Sequence, residues 1–85
     1  MEIIFGKKFE REYRKLPVFI KKSAERKEVI FRSNPFDPSL NTHKLHGKLI
    51  NFFSFSVGYN YRIIFEFGAG DKVYFYSIGT HDIYQ

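Results

Sequence analysis

The chain has 85 residues, 44% hydrophobic and 20% aromatic, which excludes a disordered segment and leaves room for one domain (1–85) with a modest, ring-built core. It contains no cysteine, so disulfides and thiolate metal sites are ruled out. Lys and Arg number 14 against 9 acidic residues, a net charge of +5, and such an excess favours a polyanionic partner, nucleic acid or an acidic protein.

No apolar run approaches the length of about 18 residues that a membrane span needs, and the N-terminal Met-Glu-Ile-Ile-Phe-Gly-Lys-Lys lacks the charged-then-apolar order of a secretory leader. A soluble, cytoplasmic protein with no membrane association is expected. Ile3-Ile4-Phe5, ended by Gly6, suits a short strand. Phe9, Tyr13 and Leu16 then recur at helical spacing with charges between them, predicting an amphipathic helix over 7–15. Pro17 interrupts it and starts a second helix over 18–33, with Phe19, Ile20, Ala24, Ile30 and Phe31 on one side. Asn34-Pro35-Phe36-Asp37-Pro38 stops that helix, because neither proline continues the ladder and each restricts the residue before it.

Residues 39–50 read as a connecting segment. From Asn51 to Val57 the chain alternates Phe53, Phe55 and Val57 against Phe52, Ser54 and Ser56, the pattern of a half-buried strand. Gly58-Tyr59-Asn60 supplies a turn. Tyr61, Ile63, Phe65 and Phe67 alternate with Arg62, Ile64 and Glu66 in the next strand, and Gly68–Asp71 forms a hairpin loop before a final strand over 72–78. The order is β-α-α-β-β-β, an α+β fold whose antiparallel sheet is covered on one face by the N-terminal helical hairpin.

The polar residues that break the aromatic pattern are His43, Lys44, His46, Lys48, Arg62, His81, Asp82 and Tyr84. Imidazoles change charge near neutral pH, so a pair of them suits a reaction that moves two protons. Arg62 lies in the strand phase opposite the core and offers fixed positive charge to a phosphate. The plainer readings are solvated or capping histidines, and an Arg62–Glu66 ion pair along one strand face. His43 and His46 alone do not make a metal site without scattered carboxylates, so metal-free chemistry is preferred.

The segment Leu40-Asn-Thr-His-Lys-Leu-His-Gly-Lys-Leu49, the run Tyr61-Arg-Ile-Ile64 and the tail Ile78-Gly-Thr-His-Asp82 together resemble the RelE/ParE superfamily of toxins, and within it the RelE-like and YafQ-like mRNA interferases. The resemblance spans nearly the whole chain and implies a RelE-like microbial ribonuclease fold. It further implies a type II toxin that cuts mRNA in the ribosomal A site without cofactor or metal, by 2′-OH attack on the adjacent phosphate, and that is held by a cognate antitoxin. On matching positions, Arg62 falls on the phosphate-stabilising arginine and His81 on the general acid. His43 is the preferred base with His46 second, and Tyr84 is the C-terminal aromatic that orients the nucleotide. Lys44, Lys48 and Asp82 fall among the RNA-contacting residues. Ser54 and Ser56 stand where RelE itself carries lysines, which removes charge. The same resemblance leaves open a ParE-like toxin that blocks gyrase by binding, or an inactive relative that only binds.

Overall fold

The structure is a computed structural model and describes residues 1–84. Its elements run β1 (Glu2–Phe5), α1 (Lys7–Arg14), α2 (Val18–Ser33), β2 (His43–Lys44), β3 (Phe53–Gly58), β4 (Tyr61–Phe67) and β5 (Lys72–Gly79). Short 3₁₀ turns follow at Pro38–Leu40, Gly47–Leu49 and His81–Tyr84. The five strands form one sheet in the order β1-β5-β4-β3-β2. None of the described helices is long and apolar enough to cross a membrane.

The meander β3-β4-β5 is antiparallel and in the expected phases, but the complete sheet is mixed. β1 pairs parallel with β5, Ile3 opposite Val73 and Phe5 opposite Phe75. This pairing is possible because α1 and α2 supply the long crossover that returns the chain to the far edge. At the opposite edge, His43 and Lys44 add a two-residue strand antiparallel to β3, within the segment read as a connection.

One sheet face is built from rings. Phe31 of α2 is fully buried and packs against Phe55, Phe65 and Phe75 at centroid distances of 4.8, 4.9 and 5.3 Å, within the range at which aromatic pairs add to simple burial. Ile20, Ser23, Ala24 and Phe31 are the buried residues of α2, whereas Phe19 is 56% exposed. The expected stripe is therefore displaced at its start: Phe19 covers Tyr59 of the β3–β4 turn at 5.2 Å and stays out of the core. The Ser23 hydroxyl donates to the Val57 carbonyl and fixes α2 across β3.

α1 closes the other edge. β1 ends at Phe5, so the second half of β5 has no strand on the side away from β4. Glu12 takes that place: its Oε1 accepts from the Ile78 N–H at 3.2 Å and from the Ser77 hydroxyl at 2.8 Å. Lys8 donates to the Ser77 hydroxyl at 2.9 Å and to Glu12 Oε2 at 3.1 Å. A backbone donor that a longer β1 would have satisfied is thus satisfied by a side chain.

Candidate active site

Arg62 is partnered across the sheet with Ser56 of β3 and Gly79 of β5. Directly opposed residues share a face, so its guanidinium lies on the side away from the helices. Among the described residues, Nη1 of Arg62 is buried without a hydrogen-bond partner. The salt bridges among the described residues join Met1 to Asp71, Lys8 to Glu12 and Arg32 to Glu28, so the Arg62–Glu66 pair is not formed. A charged donor removed from water and left unpaired costs roughly 1–3 kcal/mol or more, and an anion placed beside it relieves that cost.

The space beside Arg62 is an open pocket of about 380 Å³ lined by Asn60, Arg62, Thr80 and His81. Two turns bring these residues together. Tyr59 and Asn60 occupy left-handed conformations, φ 55° and 65°, the arrangement of a tight two-residue hairpin turn. Asparagine tolerates that region well, whereas tyrosine is strained in it, and here Tyr59 rests on Phe19. At the other wall β5 ends at Gly79 and the chain turns back through His81–Tyr84. A side chain at Gly79 would run into Ile83, so the turn sits tightly on the strand that leads into it.

Tyr84 reaches from that turn over the sheet. Its hydroxyl lies 2.7 Å from the hydroxyl of Ser54, which is fully buried. Its ring meets the His81 imidazole edge-on, 5.3 Å between centroids at 78°. Ser54, read from the motif as a position of missing charge, is therefore an internal anchor.

His43 stands opposite Ser54 across β2 and β3, on the same face as Arg62 but outside the pocket and exposed. The loop before it is well fastened. Asp37 Oδ1 accepts from the Ser39 hydroxyl at 2.7 Å and the Ser39 N–H at 2.9 Å, and these bonds, the hydroxyl first, hold its carboxyl below the usual value. Asn41 then redirects the chain with φ 51°, and the Thr42 hydroxyl donates to the Pro35 carbonyl at 2.6 Å. Buried Leu40 and Leu45 pin both sides of β2. Nδ1 of His43 lies 3.0 Å from the Asn41 carbonyl. A carbonyl only accepts, so Nδ1 carries the proton and Nε2 of the neutral ring is the free acceptor.

The remaining candidates are dispersed. Lys44 is opposite Phe53 and so belongs to the other strand phase from His43. His46 and Lys48 are exposed at the Gly47–Leu49 turn, and Asp82 is exposed next to His81. Of the expected set, the fold unites Arg62 and His81 in one pocket, sets Tyr84 against His81, and leaves His43 two strands from Arg62. It does not bring His46 to them. Asn60 and Thr80 line the pocket although the sequence reading passed over them. Thr80 lies inside the Ile78–Asp82 motif, which was signal enough to find it.

A second cavity, about 360 Å³, opens on the helix side between Phe9, Tyr13, Ala24 and Ile63. Glu10, Glu25 and Glu28 line it together with Arg14, an acidic excess that disfavours a phosphate there. Burial first, then the charges of Glu25 and Glu28, raise the Tyr13 hydroxyl above its usual value. Among the described residues no three His, Asp or Glu side chains gather as a metal site.

No family model and no curated protein matches the chain. Solved structures do. A YoeB/ParE toxin from Agrobacterium tumefaciens superposes with a TM-score of 0.80 at 13% identity, covering 95% of this chain and 99% of that one. YafQ from E. coli gives 0.75 at 13% identity over 98% and 96% of the two chains. The RelB–RelE antitoxin–toxin complex from Methanococcus jannaschii gives 0.73 at 29% identity over 95% and 94%. The chain has the α+β fold of the RelE-like toxins, and its structural neighbours are toxins of the RelE, YafQ and ParE types.

Proposed function

We propose that this protein is the toxin of a type II toxin–antitoxin pair and a ribosome-dependent endoribonuclease that cuts mRNA. The observation that carries the reading is the buried, unpartnered Nη1 of Arg62 in a pocket walled by His81. A cation held in this state, beside a group able to give a proton, suits a phosphodiester whose charge rises during reaction.

In the proposed reaction the ribose 2′-oxygen forms a bond to the adjacent phosphorus while its proton passes to Nε2 of His43. Arg62 takes the charge on the equatorial oxygens of the pentacoordinate phosphorus. The bond from phosphorus to the 5′-oxygen breaks, and His81 protonates that oxygen. The products are a 2′,3′-cyclic phosphate and a 5′-hydroxyl. Two strand spacings, about 10 Å, separate the backbones of β2 and β4, and the bound nucleotide lies between them over Ser54 and Ser56. Tyr84 orients that nucleotide and Lys48 holds a flanking phosphate, while Lys44, in the strand phase opposite His43, has no part on this face. His46, outside this arrangement, has no step.

A cognate antitoxin is the proposed protein partner, in line with the complex in which the Methanococcus jannaschii neighbour was solved. The ParE name attached to another neighbour favours one rival, a toxin that blocks gyrase by binding alone, and a shared fold does not separate the two. Expression in translating cells does. Cleaved mRNA with normal DNA supercoiling is expected; intact mRNA with disturbed supercoiling would replace the nuclease reading with the gyrase one.

A further inference from the structure

Ser54 is a polar residue of β3 between Phe53 and Phe55, fully buried, and its hydroxyl pairs with the Tyr84 hydroxyl at 2.7 Å. The segment it holds is the four-residue 3₁₀ turn His81–Tyr84. At its start the Ile83 N–H donates to the Thr80 carbonyl at 3.1 Å, and Ile83 sits against Gly79. The Tyr84 side chain ties this turn to the sheet through Ser54. The fastened ring is also the one that meets the His81 imidazole edge-on at 5.3 Å.

We propose that Ser54 is a positioning residue: its buried hydroxyl fixes the Tyr84 ring, and through that ring the orientation of the His81 imidazole at the Arg62 pocket. The inference rests on the reading of His81 as the proton donor of an RNA-cleaving site, and it adds the reason that the donor is aimed. Ser54 does not line the pocket, and its hydroxyl is turned to Tyr84. The path runs from the hydroxyl pair to the ring contact and then to the imidazole.

The test compares Ser54→Ala, Tyr84→Phe, the double variant and Ser54→Thr in the full chain. Two readouts are taken, ribosome-dependent RNA cleavage across pH and the NMR signals of the His81 ring protons. Removing the hydroxyl pair from either side is expected to lower kcat about tenfold, the scale of one neutral hydrogen bond, with KM within about twofold. The double variant is expected to be no worse than either single one, because both delete one interaction. Ser54→Thr, which keeps the hydroxyl, is expected to restore both kcat and the His81 signals, while thermal melting verifies that every variant is folded. Additive losses, or wild-type His81 signals in folded Ser54→Ala, overturn the proposal. If the wild-type chain cuts no RNA, the nuclease reading fails, and the His81 signals alone decide whether Ser54 positions the ring.

Discussion

Arg62 on β4 lies directly opposite Gly79 on β5, and this pairing makes the pocket. A residue with no side chain lets the chain reverse at once beside Arg62, so that His81 lines the same pocket as the guanidinium. Gly79 also receives Ile83. One position thus determines where the cation stops and where the tail folds back.

Replacing Gly79 by Ala is therefore expected to push the His81–Tyr84 turn off the sheet. Overpacking of this kind costs about 1–3 kcal/mol, readable by denaturant melting. The His81 ring signals should shift and the Ser54–Tyr84 bond should be lost. A Gly79→Ala protein with wild-type stability and unchanged His81 signals would show that the close contact is unimportant.

At the sheet edge, Glu12→Ala removes the acceptor for the Ile78 N–H and for the buried Ser77 hydroxyl. A buried donor left unmet costs about 1–3 kcal/mol, so the variant is expected to lose stability on that scale. Hydrogen exchange at Ile78 is expected to accelerate. Unchanged exchange at that amide would mean that something other than Glu12 closes the edge.

Within the core, Phe31→Ala opens a cavity among Phe55, Phe65 and Phe75. Losses of about 3–5 kcal/mol attend such deletions, a large part of the stability of a small domain. Phe19→Ala, at an exposed site, is expected to cost far less. Its effect should be confined to the Tyr59 turn, measurable as a local change in amide signals. Comparable losses at both positions would contradict the burial difference.

Tyr13 gives an alkaline prediction. Its hydroxyl titrates above the ordinary tyrosine value of 10.0, chiefly through burial and then through Glu25 and Glu28. A raised folded-state value means that the neutral phenol is favoured by folding. The stabilising contribution is complete below pH 10 and is lost as pH rises through the shifted value. Melting followed from pH 9 upward is expected to show a loss of stability that is smaller in Tyr13→Phe. Equal slopes in the two proteins would remove the effect from Tyr13.

The meander and the phases of β3 and β4 were legible because Phe53, Phe55, Ile63 and Phe65 alternate with polar or smaller residues. The parallel partner of β1 was not legible: Ile3-Ile4-Phe5 marks an apolar strand and carries no information on which edge it joins. β2 escaped because His43 and Lys44 show no apolar pattern, being held by backbone pairing to β3 and by buried Leu40 and Leu45 beside them. The stripe of α2 was misread at Phe19 because hydrophobicity alone does not separate a core ring from one covering a turn. At the pocket, the charged members Arg62 and His81 stood out in motifs. Asn60 and Thr80 are neutral side chains placed by two turns, and the role of Ser54 depends on a partner thirty residues away in the chain.

The most direct measurement is the single-turnover rate at which wild-type and Arg62→Ala proteins cut a ribosome-bound mRNA, with the chemistry of the new ends determined. If Arg62 holds the charge of the reacting phosphate, the wild type leaves a 2′,3′-cyclic phosphate and a 5′-hydroxyl. The variant, still folded, is expected to be slower by about 10²–10³, as when a preorganised donor to a developing oxyanion is removed. Cleavage by Arg62→Ala at the wild-type rate would contradict the account.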